Sequence, residues 1–127
     1  MNSQVGEVGD PEYDSPAFRR FFNTSDFMVP GPSQTWVFVD EHPDSINDGW
    51  FWVLMDKDSW YDLPGSYHNG AANFGFADGH TEAKKWLNDY TKAPVILDNG
   101  NARWQAVQSA AKLTDIRWVQ ERTSAMK

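Results

Sequence analysis

Cysteine is missing from this chain of 127 residues. Disulfide frameworks, thiolate nucleophiles and Cys-ligated zinc are therefore excluded, while the compartment stays open because a thiol-free chain suits either side of a membrane. Cations are in the minority: 11 Lys and Arg stand against 18 Asp and Glu, a formal charge of −7. That balance argues against nucleic acid, whose affinity for proteins comes mainly from Lys and Arg neutralising phosphates. It is neutral towards metal cations and sugars. No apolar run approaches the roughly 20 residues of a membrane-spanning helix, and no signal-peptide pattern opens the chain. Also lacking are a Ser/His/Asp order, a phosphate loop, a nucleotide fingerprint and any internal repeat.

Aromatic residues, by contrast, are abundant at 15%, with seven tryptophans. The length suits one domain able to bury a core without staples. Residues 1–15 lack periodicity and read as an irregular arm, leaving 16–127 as a single globular domain. Ser15-Pro16 is a helix start, and Phe18, Phe21 and Phe22 make an apolar stripe, so a short helix is expected over 16–22. Residues 34–40 and 50–55 are apolar at nearly every position and rich in aromatic and β-branched types, the pattern of two central strands paired across the loop 41–49. Residues 102–113 carry Trp104, Val107 and Ala111 at helical spacing, and Thr114-Asp115 restarts the pattern, giving an expected helix over 102–122.

The strongest local signal lies at 66–86. Asp78-Gly79 between two extended segments predicts a two-residue type I′ turn joining strands 72–77 and 80–86. In that register Phe76 faces Thr81 and Phe74 faces Ala83, so one face carries Phe74, Phe76, Thr81, Ala83 and Lys85, and the other Asn73, Gly75, Ala77, His80, Glu82 and Lys84. The sum is an α+β fold: a four-stranded antiparallel sheet with short helices packed on one side.

Three groups of residues carry chemistry. Asp40, Glu41, Asp44, Asn47 and Asp48 put a dense set of oxygen donors in one loop, which suits a structural Ca²⁺ with its six to eight oxygen ligands. The loop is no EF-hand, since counting from Asp44 places Ile46 and Met55 where ligands belong. The same residues equally describe hydrogen-bonded turns, with Asp44 capping a short helix and Asp48-Gly49 turning into the next strand. His68, Asp78 and His80, or His42 with His68, are ligand types for a transition metal or an acid–base pair, although loop-bonding roles explain them as well. Exposed Trp and Tyr rings stack on sugars, so Trp60, Tyr61 and Tyr67 in a loop and Trp50 with Trp52 on one strand face are candidates for carbohydrate binding. The competing reading puts Trp36, Trp50, Trp52, Trp86, Trp104 and Trp118 in a thin sheet-on-helix core.

Two segments also carry a resemblance. His68, nine residues, then Asp78-Gly79, within His-Asn-Gly-Ala-Ala-Asn-Phe-Gly-Phe-Ala-Asp-Gly-His, resembles the C-terminal signature of bacterial type IV pilin-like and type II secretion pseudopilin-like proteins of the planctomycete and verrucomicrobial type. The segment Asp40-Glu41-His42-Pro43-Asp44-Ser45-Ile46-Asn47-Asp48-Gly49-Trp50-Phe51 is similar to the one preceding that signature in a large subgroup. The likeness spans roughly residues 18–124. It implies a globular head that works by protein–protein assembly in a secretion or surface filament, is extracytoplasmic, is no enzyme and in the secretion class often holds calcium. It also implies an apolar N-terminal helix that this chain does not show, so the chain is expected to be the head of a longer protein or, as the alternative, a relative that lost the helix, with an uncovered apolar strip that favours dimerisation. Glycan binding is the alternative function and a metal-dependent enzyme the third.

Overall fold

The computed structural model describes residues 1–6, 15–97, 105–106 and 112–127. Among them the fold is a small α+β arrangement. Strands β1 (Trp36–Val39), β3 (Ala71–Phe76) and β4 (Thr81–Lys85) form an antiparallel sheet in the order β1-β3-β4. Strands β2 (Ser59–Trp60) and β5 (Gln105–Ala106) form a separate two-stranded pair. One α-helix, α1 (Thr114–Thr123), follows. No helix among the described residues is long and apolar enough to cross a membrane.

The sheet has three strands, not the expected four, and the reason lies at the start of the chain. Asn2 donates its backbone N–H to Val37 O at 2.8 Å and its side-chain Nδ2 to Trp36 O at 2.8 Å. On the other side Ser3 N–H reaches Phe51 O at 3.2 Å and Phe51 N–H reaches Met1 O at 2.6 Å. Residues 1–3 thus lie between β1 and the segment 50–55, intercepting the pairing expected of the two. Three of these arm residues, Asn2, Ser3 and Gln4, are fully buried. Segment 50–55 keeps the burial of a strand without its ladder. Phe51, Val53 and Met55 enter the main core, while Trp52 and Leu54 pack with Tyr61 in a second cluster.

No helix forms over 16–22. Ser15 and Phe18 close one turn, and the chain then runs extended between the two ends of the protein: Phe21 N–H bonds Gln4 O, Gly6 N–H bonds Phe21 O, Arg19 N–H bonds Ala125 O and Lys127 N–H bonds Ala17 O, each at 2.9 Å, while the Ser15–Phe18 turn closes at 3.1 Å. Tertiary pairing outweighs a cap signal that only a few helical residues could use. Helix α1 covers the C-terminal part of the expected 102–122 helix and starts at the restart signal, Thr114. Gln105 and Ala106 are paired with β2 instead, and 102–104 and 107–111, with Trp104, lie outside the described residues.

The hairpin is present but its turn is one residue longer than expected. Gly79 N–H bonds Phe76 O and Phe76 N–H bonds His80 O, both at 2.9 Å, enclosing Ala77, Asp78 and Gly79. Gly79 alone has positive φ, +92°, as in a type I turn closed by a bulged glycine. Gly75 therefore faces Thr81 and Phe74 faces Glu82. Because side chains alternate, this single slip exchanges the faces of β4: His80, Glu82 and Lys84, not Thr81, Ala83 and Lys85, share the side of Phe74 and Phe76.

That side holds the core. Trp36, fully buried, meets Phe51 and Phe74 edge-on with ring centroids 5.7 Å away in both cases. Trp86 meets Phe74 at 6.0 Å and Trp60 at 6.3 Å. Ile116 and Val119 of α1 close it from above. Edge-to-face packing adds quadrupole attraction to the area these rings remove from water.

Candidate functional site: the junction of the acidic loop and the hairpin

The turn entering β3 is shaped by backbone demands. Asn69 and Gly70 both have positive φ, 55° and 78°, which reverses the chain before Ala71 and leaves Tyr67 and His68 at the tip. Asp40, just past β1, then receives what the tip offers. Its Oδ2 lies 3.2 Å from His68 Nε2 and accepts both the backbone N–H and the Nδ2 of Asn73 at 3.1 Å. Its carbonyl accepts Gly65 N–H at 2.7 Å. The Tyr67 hydroxyl donates to Glu41 O. Burial, then the negative charges of Asp40, Glu41 and Asp44, hold the Tyr67 phenol above its ordinary pKa, so it stays a donor. A Cβ on Gly65 would meet the Tyr67 ring at 2.6 Å, so glycine is needed for this approach. The two segments carrying the resemblance are thus one stitched unit.

The acidic loop is occupied with backbone. Asp44, buried, accepts Ile96 N–H at 2.7 Å; Glu41 Oε1 accepts the Ser45 hydroxyl at 2.8 Å; and Asp48 Oδ1 accepts Trp50 N–H at 2.7 Å. Ser45 Oγ in turn accepts Leu63 N–H at 3.0 Å. Asn47 is exposed. His42 is fully buried, with Nδ1 accepting Asp44 N–H at 3.2 Å and Nε2 3.0 Å from Ala93 O, a pattern that an imidazole protonated at Nε2 satisfies. Asp48 closes a local turn on Trp50, whereas Asp40 and Asp44 reach the amides of Asn73 and Ile96, far along the chain, and Asp44 does not cap a helix as the turn reading expected. Among the described residues no three His, Asp or Glu side chains gather as a metal-binding group.

His68 and His80 take separate jobs. The Asp78 carboxylate accepts His80 N–H at 3.1 Å and lies 2.6 Å from His80 Nδ1, while the His80 ring stacks on Phe76 with centroids 4.4 Å apart. The side-chain bond from His80, followed by its backbone N–H, holds the Asp78 carboxyl below its ordinary range. A carboxyl with a lowered folded pKa adds stability above its unfolded value of about 3.9, and that contribution disappears as pH falls through the folded value. Asp78→Asn should therefore melt below the native protein from about pH 5 to 7, with the two curves converging at the acid end. A gap that stays constant with pH would show that the charge does not hold the turn.

Most candidate sugar-stacking rings are inside. Trp52, Trp60 and Tyr61 are each at most 8% exposed, whereas Tyr67 is 47% exposed and Trp50 is half-buried. The rings of Trp60 and Tyr61 are therefore core material, and Trp118 lies half-buried under Lys84 and Arg122. Two buried acids go beyond what sequence reasoning singled out. Asp62 Oδ2 accepts Trp52 N–H at 2.6 Å, and Asp115 accepts Leu87 N–H at 3.1 Å, Asn88 N–H at 2.9 Å and the Thr91 hydroxyl at 2.9 Å. Asp62 had no signal; Asp115 had one, an acid in the first turn of a restarting helix.

Compared with protein-family models, curated proteins and solved structures, the chain matches none of them.

Proposed function

We propose that this chain is the globular head of a pilin-like or pseudopilin-like subunit, acting by protein–protein assembly in a secretion or surface filament outside the bacterial cytoplasm. The observation that carries the reading is the junction: His68, which heads the signature, lies 3.2 Å from Asp40, the first residue of the second resembling segment. Residues that a catalytic reading would assign to proton or metal chemistry are spent holding a loop on a hairpin. Phe38 and Ile46, 62% and 55% exposed, flank that junction and offer apolar surface for contact. A structural Ca²⁺ held by Asp40, Glu41, Asp44, Asn47 and Asp48 belongs to this reading as its one cofactor. It requires a calcium-dependent rise in melting temperature that Asp48→Ala removes, since an ion bound only by the native state stabilises it.

The test of the assembly role is photo-crosslinking in the source bacterium, with a photoreactive residue at Phe38 or Ile46 of the chromosomally encoded protein. Adducts with other envelope-filament subunits support it. Fractionation in the cytoplasm, or the absence of adducts from both positions, overturns it.

A further inference from the structure

Among the described residues, the outer edge of β4 has no partner strand. At the other margin of the sheet, β1 is capped by Asn2, whose N–H bonds Val37 O. Strand β4 ends the order β1-β3-β4, and no strand pairs with its outer side among the described residues. Thr81, Glu82, Ala83 and Lys85 are exposed and Lys84 is half-buried.

Which backbone groups face outward follows from the ladder. His80 O accepts Phe76 N–H, and Trp86 N–H bonds Gly70 O, so even-numbered residues of this strand turn their polar groups inward to β3. In an antiparallel ladder both groups of a residue point the same way and successive residues alternate. Thr81, Ala83 and Lys85 therefore present N–H and C=O to the open side.

We propose that this edge pairs with the same edge of a second copy, antiparallel and two-fold symmetric about Ala83. That register puts Thr81, Ala83 and Lys85 opposite Lys85, Ala83 and Thr81 of the other copy, so every outward N–H and C=O meets its complement. It also puts Glu82 opposite Lys84, twice, on one face of the joined sheet. The charge order selects this arrangement among the alternatives. A slip of two residues sets Glu82 against Glu82 or Lys84 against Lys84, a slip of one opposes outward groups to inward ones, and a parallel pairing aligns like charges; like charges directly opposite are destabilising. Edge lysines ordinarily keep strands from joining indiscriminately. Here the same residues admit one partner, the strand that carries their mirror order, and the interface is isologous and closed. Each copy carries a charge of −7, so long-range repulsion opposes the approach, and about 0.15 M salt, with a Debye length near 8 Å, screens it while leaving close pairs in place.

Sedimentation of the purified 127-residue chain over a concentration series at that salt tests the proposal, with circular dichroism and thermal melts confirming that each variant folds. The native chain should dimerise reversibly. Glu82→Lys should weaken the dimer about tenfold or more by placing lysines opposite lysines, and Glu82→Lys with Lys84→Glu should restore it to within about threefold. Ala83→Pro, which removes an outward N–H that an edge strand does not need for its own sheet, should weaken it comparably. If Ala83→Pro does not fold, the charge exchange decides alone. A chain that stays monomeric throughout, a dimer indifferent to Glu82→Lys, or a double exchange that recovers nothing overturns the proposal. The assembly role proposed above stands apart from these outcomes, because it is read from crosslinks in cells at Phe38 and Ile46.

Discussion

Asp115→Ala should cost about 3–4 kcal/mol of folding stability and lower the melting temperature by roughly 10–15 °C. The carboxylate is fully buried and accepts Leu87 N–H, Asn88 N–H and the Thr91 hydroxyl. It sits in the first turn of α1, where the helix dipole favours an anion. Alanine would leave the buried Thr91 hydroxyl and two part-buried amides without their acceptor, and hydrogen bonds to a charged group are worth about 1.5–3 kcal/mol, less than additively when they share one acceptor. Asp115→Asn keeps the shape and one carbonyl oxygen but turns an amide towards donors, so it should lose about half as much. Chemical denaturation supplies the free energies, and amide exchange should show lost protection at residues 87–91 first, because that segment depends on Asp115 for its attachment to the helix. A loss below about 1 kcal/mol for Asp115→Ala would mean that water replaces the carboxylate there and that the acid is not a hub.

How much of this fold the sequence discloses depends on where the deciding interactions lie. The hairpin is legible because Asp78-Gly79 makes its own turn, and its position follows. The register does not follow, for two reasons. An Asp-Gly pair serves both a two-residue turn with two positive φ angles and a three-residue turn with one, and the Asp78 bonds to His80 accompany the second. Thr81-Glu82-Ala83-Lys84-Lys85 also has no apolar alternation of its own to pin a face. The strand β1 is legible from its apolar run; its partner is not. Met-Asn-Ser-Gln has no strand pattern, and nothing local reveals that Asn2 will use its backbone and side chain to take the edge of β1 from residues 50–55. The same long-range bonding keeps 16–22 from being a helix.

The candidate site divides along the same line. Its residue types and its two segments are readable, since acids and amides cluster in 40–49 and His68 stands just before the Asn-Gly entry of β3. What each one does depends on contacts that span tens of residues, Asp40 to His68 and Asp44 to Ile96 among them. That Asp44 accepts Ile96 N–H and Glu41 the Ser45 hydroxyl is not written in an oxygen-rich loop, whose composition suits a cation site and a hydrogen-bonded loop alike.

The largest loss is expected from Trp36→Ala, about 3–5 kcal/mol, a large share of the 5–15 kcal/mol that holds a typical domain together. Trp36 is fully buried and contacts the sheet, the segment 50–55 and α1. Its ring packs edge-on against Phe51 and Phe74, its Nε1 donates to Thr123 Oγ1 at 3.1 Å, and its carbonyl accepts Asn2 Nδ2 at 2.8 Å. Asn2 Nδ2 also reaches Thr123 O at 3.1 Å, so β1, the end of α1 and the first residues of the chain meet around Trp36, the ring holding α1 and the backbone carbonyl holding Asn2. Alanine removes the ring and leaves a cavity whose walls are aromatic and held from several directions, so collapse can recover little of the loss. Trp36→Phe separates the two contributions. It keeps much of the ring packing but leaves Thr123 Oγ1 without the indole donor and a smaller void, for an expected cost of about 1–2 kcal/mol. Trp50→Ala, at a half-buried ring beside the second cluster, serves as the reference and should cost less than about 1 kcal/mol. Urea unfolding of the three variants gives the order Trp36→Ala, Trp36→Phe, Trp50→Ala. If Trp50→Ala proved the most damaging, the main cluster around Trp36 would not be the part of the core on which folding depends.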